Sequence, residues 1–403
     1  MPLTLSLPLA DGRIERYTLS EAEPWRTPAK PVFSRIAFSA AHVVADARAA
    51  NDPWLDCAID WDRTIAYRRR LWSMGLGVAE AMDTAQRGMG LDWPTSLKLI
   101  RRSLDAARDV PGALVASGCG TDHLAPDAAR SVDDVIRAYE EQMAAIEALG
   151  GRLILMASRA LARVAKSPGD YERVYHRLLN QARQPVILHW LGDMFDPALK
   201  GYWGSDDVNA AMETALAVIH ANPAKVDGIK ISLLDKDKEI AMRRRLPTSG
   251  GPEGRGVRMY TGDDFNYAQL IAGDGVGSAI NQGQSDALLG IFDAIAPAAS
   301  AALAALAAGN EARFHQILAP TVPLSRHIFG APTRFYKTGV VFMAWLNGHQ
   351  DHFVMVGGQQ SSRSMPHFAE LFKLADAAGL IEQPGLAAGR MKTLLALHGM
   401  QDA

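Results

Sequence analysis

The sequence predicts an α/β fold, a (β/α)8 TIM barrel with an N-terminal hairpin and a C-terminal helical extension. Three observations predict it. From about residue 33, short continuous apolar runs alternate with amphipathic helical segments. Runs that are apolar throughout belong to strands buried on both faces, so helices must cover a parallel sheet. Eight such runs can be counted, which favours a closed barrel over an open doubly wound sheet. After the eighth run the chain turns helical and alanine-rich, with no further strand evident.

The elements follow in order. Leu3, Leu5, Leu7 and Leu9 alternate, Ala10-Asp11-Gly12 turns, and Ile14, Tyr17 and Leu19 follow, so residues 3–19 read as a hairpin. Pro24, Pro28 and Pro31 mark a linker, which makes the hairpin an appendage. The eight candidate strands are 33–39, 75–82, 112–118, 152–158, 185–191, 226–232, 257–261 and 275–281. Between them the clearest helix is 132–149. Ser131 caps it, Val132, Ile136, Tyr139, Met143, Ile146 and Leu149 share one face, and Gly150-Gly151 stops it. A helix through Tyr171, Val174, Leu178 and Leu179 leads into the fifth strand. One through Val208, Met212, Ala215 and Ile219 leads into the sixth. The tail reads as helices over 285–308, 311–329, 333–347 and 366–379. The expected divisions are 1–30 for hairpin and linker, 31–310 for the barrel and 311–403 for the helical extension.

Composition narrows the function. A hydrophobic content of 48% and a formal net charge of -2 suit a soluble protein with no basic field for nucleic acid. The two cysteines, Cys57 and Cys119, form no CxxC pair, so a reducing cytoplasm is the expected location. Met1-Pro2-Leu3 opens no signal peptide, and Ala296 to Ala308 is too short and too mildly apolar to span a bilayer. The expected partner is a small molecule, not a membrane or a nucleic acid.

Chemistry concentrates at Lys230. It sits in Val226-Asp227-Gly228-Ile229-Lys230-Ile231-Ser232, where apolar neighbours make a solvated ammonium implausible. Desolvation lowers a lysine pKa, and a neutral amine can attack a carbonyl to form a Schiff base. Barrel active sites lie at the carboxyl ends of the strands. There the sequence places Asp83 and Thr84 (second strand), Ser117, Thr121 and Asp122 (third) and Arg159 (fourth). His189 belongs to the fifth strand, Lys230 and Ser232 to the sixth, Asp263 and Asp264 to the seventh, and Asn281 to the eighth. Arg159 could hold a carboxylate or phosphate in its planar fork. Gly273-x-Gly275-x-Gly277 precedes no helix and is not a dinucleotide loop. Thr248 to Gly254 reads as a loop near the mouth.

These motifs resemble the dihydrodipicolinate synthase / N-acetylneuraminate lyase superfamily of class I aldolases over residues 33–380. Gly228-Ile229-Lys230 resembles its Schiff-base motif, and Ser117-Gly118-Cys119-Gly120-Thr121 its Gly-rich third-strand end. Thr261-Gly262-Asp263-Asp264 resembles its Ser/Thr-Gly-Asp-Asp segment, and Asp274 to Asn281 its eighth strand. The resemblance implies a lyase, an aldolase or a hydro-lyase, with Lys230 as the Schiff-base residue and no external cofactor, because the lysine is the electron sink. It also implies a homodimer or homotetramer. Two departures shape the expected substrate. His189 stands where the family has a proton-relaying tyrosine, and imidazole can do that work near neutral pH. Met82-Asp83-Thr84-Ala85-Gln86 stands where the family binds a carboxylate. Asp83 would repel a carboxylate and accept hydroxyl hydrogen bonds, pointing to an oxo sugar or a related small carbonyl compound in carbohydrate metabolism. Two alternatives remain open at this point. One is a metal-dependent sugar isomerase or epimerase using Asp122, His123 and His189. The other is a non-catalytic small-molecule-binding barrel.

Overall fold

The computed structural model describes residues 3–20, 23–275 and 283–400. The chain forms two compact units. One takes Arg35–Ala41 and Leu76–Gly290; the other takes the stretches up to Ser34, His42–Gly75 and from Ile291 on.

The first unit holds a closed barrel of eight parallel strands. In chain order they are Ala37–Ala40, Gly77–Glu80, Val115–Cys119, Arg152–Leu155, Val186–Leu191, Val226–Ser232, Arg258–Thr261 and Asp286–Leu289. Each pairs with its neighbours in sequence order, and the eighth pairs with the first, so no strand edge is left open. Phe38, Ala40, Ala79, Met82, Ala116, Ile154, Ile187, Tyr260 and Leu288 form one interior cluster. Because successive side chains on a strand alternate faces, this cluster fixes which residues look inward. His189 follows Ile187 by two and lies in register with Lys230, so both point into the barrel.

Gly228 is required beside them. A Cβ there would lie 2.6 Å from the Tyr260 ring and 2.8 Å from the Arg258 carbonyl oxygen. Helices begin where their caps predict. Ser131 and Asp134 form a reciprocal capping box at Val132–Ala148, and Ser158 accepts from the Leu161 amide at Arg159–Val164.

Seven of the expected strands are found within a few residues of their predicted places. The eighth is a correction. The expected strand 275–281 lies, apart from Gly275, outside the described residues, and the strand that closes the barrel is Asp286–Leu289. The expected helix over 285–308 therefore begins only at Ile291. The reason is tertiary. The Asp286 carboxylate accepts from the Ile36 amide at 2.8 Å and pairs with Arg258 at 2.7 Å, which ties this strand to its two neighbours.

In the second unit the predicted hairpin forms from Thr4–Pro8 and Ile14–Thr18. It is anchored rather than loose. The Tyr17 hydroxyl donates to Asp376 at 2.6 Å, and the Ser20 amide donates to the same carboxylate at 2.7 Å. The tail contributes helices including Ala296–Ala307, Glu311–Leu318, Thr321–Ile328, Tyr336–Leu346, Met365–Ala377 and Pro384–Leu397. Among the described residues no helix is long and apolar enough to cross a membrane.

Candidate active site

Lys230 is 7% exposed. Its stem lies on Gly262. A Cβ at that position would fall 2.7 Å from Lys230 Cε and 2.4 Å from Ser232 Oγ, so the glycine makes room for the lysine. Among the described residues its Nζ makes no hydrogen bond or ion pair. Burial pulls its pKa down to about 8, against the opposing pull of the Asp264 and Asp83 carboxylates. A measurable share of the amine is therefore neutral near physiological pH.

His189 faces it across the strand pair. Burial, then the positive charge of Lys230, holds this imidazole well below its usual pKa, so it is neutral. Its Nε2 lies 3.4 Å from Ser232 Oγ, and its Nδ1 is buried with no hydrogen-bond partner. An uncharged imidazole with an unused ring nitrogen beside a partly neutral amine can accept and return protons.

The two differ in their relation to the cavity. A cavity open to solvent is lined by Asp83, Thr121, Asp122, Arg159 and His189, together with Arg87, Met156 and Asp196. Lys230 is not one of its walls. Its register partner His189 is, and so is Asp83, which acts on its charge.

The second-strand end carries unusual backbone. Ala81 and Gln86 have φ of 51° and 65°, a left-handed conformation that costs non-glycine residues energy. They flank the short turn Asp83–Ala85, which places Asp83 on the cavity wall, while Thr84 is buried in the same turn. Arg87 locks this turn to the third strand. It donates to Asp122 at 3.0 and 2.7 Å, to the Gly118 carbonyl at 2.6 Å, and to Gln142. Burial alone would raise the Asp122 carboxyl. Arg87 beside it, with hydrogen bonds from Arg87 and Gln142, brings it below the usual carboxylate range instead.

The remaining expected site residues separate. Thr121 lines the cavity and shares a 2.6 Å hydrogen bond with Ser158. Ser117 is buried but follows the inward Ala116 by one, so it points to the helix side of the sheet and is not a cavity wall. Asp263 accepts from the Phe265 and Asn266 amides at 2.8 and 3.0 Å, which spends its carboxylate on a turn, while Asp264 acts on Lys230. Asn281 lies outside the described residues. Arg159 is on the wall, but its Nε donates to Asp196.

Arg87, Gln142 and Asp196 were not among the residues singled out from the sequence. Arg87 lies in a glycine-rich turn, and Asp196 precedes Pro197, a turn signal without a chemical one. Their partners lie 35 and 37 residues away, so local spacing does not reveal them. Among the described residues no three His, Cys, Asp or Glu side chains are grouped to hold a metal ion.

The fold is shared with solved structures at low identity. Dihydrodipicolinate synthase from Aquifex aeolicus is 12% identical, with 86% of this chain and 99% of that one covered, at a TM-score of 0.61. The synthase from Thermotoga maritima is 15% identical, covering 87% of this chain and 100% of that one, at 0.59. A prophage protein of the dihydrodipicolinic acid synthase family from E. coli K12, in complex with pyruvate, is 12% identical, covering 92% and 100%, at 0.59. The expected resemblance therefore holds for the fold. No curated protein matches the chain. Residues 5–400 match the family model described as "Protein of unknown function (DUF993)", and the chain belongs to that family.

Proposed function

We propose that this protein is a Schiff-base-forming lyase, an aldolase or a hydro-lyase, acting on an oxo sugar or a related small carbonyl compound. The observation that carries this reading is the buried Lys230 amine, unpaired among the described residues and with a pKa near 8, beside a neutral His189.

The chemistry follows from those two groups. The neutral Lys230 nitrogen adds to the substrate carbonyl carbon, and after one proton is taken up from solvent the carbonyl oxygen leaves as water, giving an iminium. The cation draws electrons from the adjacent carbon, so a neighbouring C–C or C–O bond can break. His189 takes up the proton released and returns it to the enamine carbon or to the leaving oxygen. Asp83 and Asp264, whose charges already favour a cation at position 230, stabilise the iminium in the same way.

The charges on the cavity wall favour a neutral substrate. Arg87 is matched by Asp122 and Arg159 by Asp196, so both arginines on the wall already carry a carboxylate, and Asp83 adds a further one. In this reading Asp83 and Thr121, both on the cavity wall, bind hydroxyl groups of the substrate.

Borohydride reduction in the presence of a panel of oxo sugars and oxo acids tests the reading. The expected result is a reduced adduct mapped to Lys230 with a polyhydroxylated carbonyl compound. Turnover of a substrate that leaves no adduct on Lys230 would refute it.

A further inference from the structure

We propose that Asp196 is a specificity-determining residue, one that turns a carbonyl site with a built-in arginine away from 2-oxo acids and towards neutral substrates. This rests on the reading of the cavity as a carbonyl-binding site.

The geometry begins with Arg159. It is the first residue of the helix Arg159–Val164, and the Ser158 cap fixes its backbone at the fourth-strand end. Its side chain is 41% exposed on the cavity wall. Gly88 leaves space for it, since a Cβ there would lie 3.1 Å from Arg159 Nη1. Only Nε is engaged among the described residues, by Asp196 Oδ2. The two terminal nitrogens are left for the cavity. A guanidinium in this posture is suited to a carboxylate in every respect except charge.

Asp196 removes that charge. It sits on the loop after the fifth strand, and its other oxygen accepts from the Ala198 amide at 3.1 Å. Its side chain is 14% exposed. A carboxylate arriving at the Arg159 terminal nitrogens would therefore meet a fixed, largely desolvated anion a few ångströms further on. Asp83 stands on the same cavity wall. Like charges brought together at a site of low polarity are strongly disfavoured. A hydroxyl or carbonyl oxygen accepts the same arginine donors without that repulsion.

The test compares pyruvate with dihydroxyacetone, two small ketones that differ in charge. Half-saturating concentrations for borohydride-trapped adduct on Lys230 are measured for the native protein, Asp196→Asn, Asp196→Ser and Arg159→Met/Asp196→Asn. Serine keeps an oxygen for the Ala198 amide, so it serves if asparagine disturbs the loop. The expected result is a shift of about tenfold or more in the ratio of the two concentrations, towards pyruvate, in either single variant. The double variant should lose that shift. A ratio unchanged in a folded single variant, or a shift that survives loss of Arg159, overturns the proposal. Calorimetric titration with pyruvate runs beside it. If no protein forms an adduct, the Schiff-base reading fails on its own. The titration still decides the role of Asp196, because pyruvate binding no tighter in the variants than in the native protein refutes it.

Discussion

Two pairs of strand ends share the barrel mouth and handle buried charge in opposite ways. At the second and third, Arg87 spends its donors on Asp122, Gln142 and the Gly118 carbonyl, and the acid it holds is fully ionised. At the fifth and sixth, Lys230 and His189 are as deeply buried, yet Lys230 Nζ and His189 Nδ1 have no hydrogen-bond partner among the described residues. Burial paired with hydrogen bonds builds a wall. Burial without such partners lowers both basic pKa values and favours the neutral amine and imidazole that the proposed chemistry needs. The contrast lies in partners, not in residue type, since both places hold a cation and an aspartate acts on each.

The largest effect that could break this contrast is at Lys230. Lys230→Met should abolish the borohydride-trapped adduct outright while leaving a folded protein, read by circular dichroism. Arg87→Met should do the reverse. It strands Asp122 without its cation and should lower stability by about 3–5 kcal/mol, seen as a drop in the denaturant midpoint. An Arg87→Met protein with an unchanged midpoint would mean that the wall is not held by this pair.

His189→Asn comes next. Loss of a positioned acid–base group should lower kcat by about 10²–10⁴-fold. Because burial and Lys230 hold the imidazole pKa well below 6.5, the native protein should keep its base at neutral pH. Protonation of Lys230 should lower activity below about pH 8, and a second fall well on the acid side, set by His189, should vanish in the variant. The smallest effect is at Asp83. Its charge favours the ammonium form of Lys230, so Asp83→Asn should move the lysine's midpoint below about 8, read as an earlier rise of adduct formation with pH. A rise that moves to higher pH would contradict the assigned sign.

How much of this was legible in the sequence depended on the range of the interaction. Val186–Leu191 and Val226–Ser232 are apolar runs whose single basic residues, His189 and Lys230, stand out against their own neighbours. Strand, barrel and the two buried basic groups could all be read from them. Asp286–Leu289 could not, because an aspartate ahead of Ala287, Leu288 and Leu289 in an alanine-rich context looks helical. Its strand character comes from Ile36 and Arg258, far away in sequence. Asp122 was legible as a polar strand-end residue, but not its capture by Arg87. Arg159 was legible as a strand-end arginine, but not the aspartate that pairs with it. Polar groups can be found in a sequence, whereas their pairing belongs to the fold.

The most direct test of the central claim needs no substrate. Competitive acetylation of the lysines with trace acetic anhydride, followed across pH by peptide mass spectrometry, reports the ionisation of each amine. The account predicts that Lys230 reactivity rises through a midpoint near 8, while exposed lysines rise near their ordinary value of about 10.4. A Lys230 that titrates with the exposed lysines would show an amine charged at physiological pH and contradict the proposal.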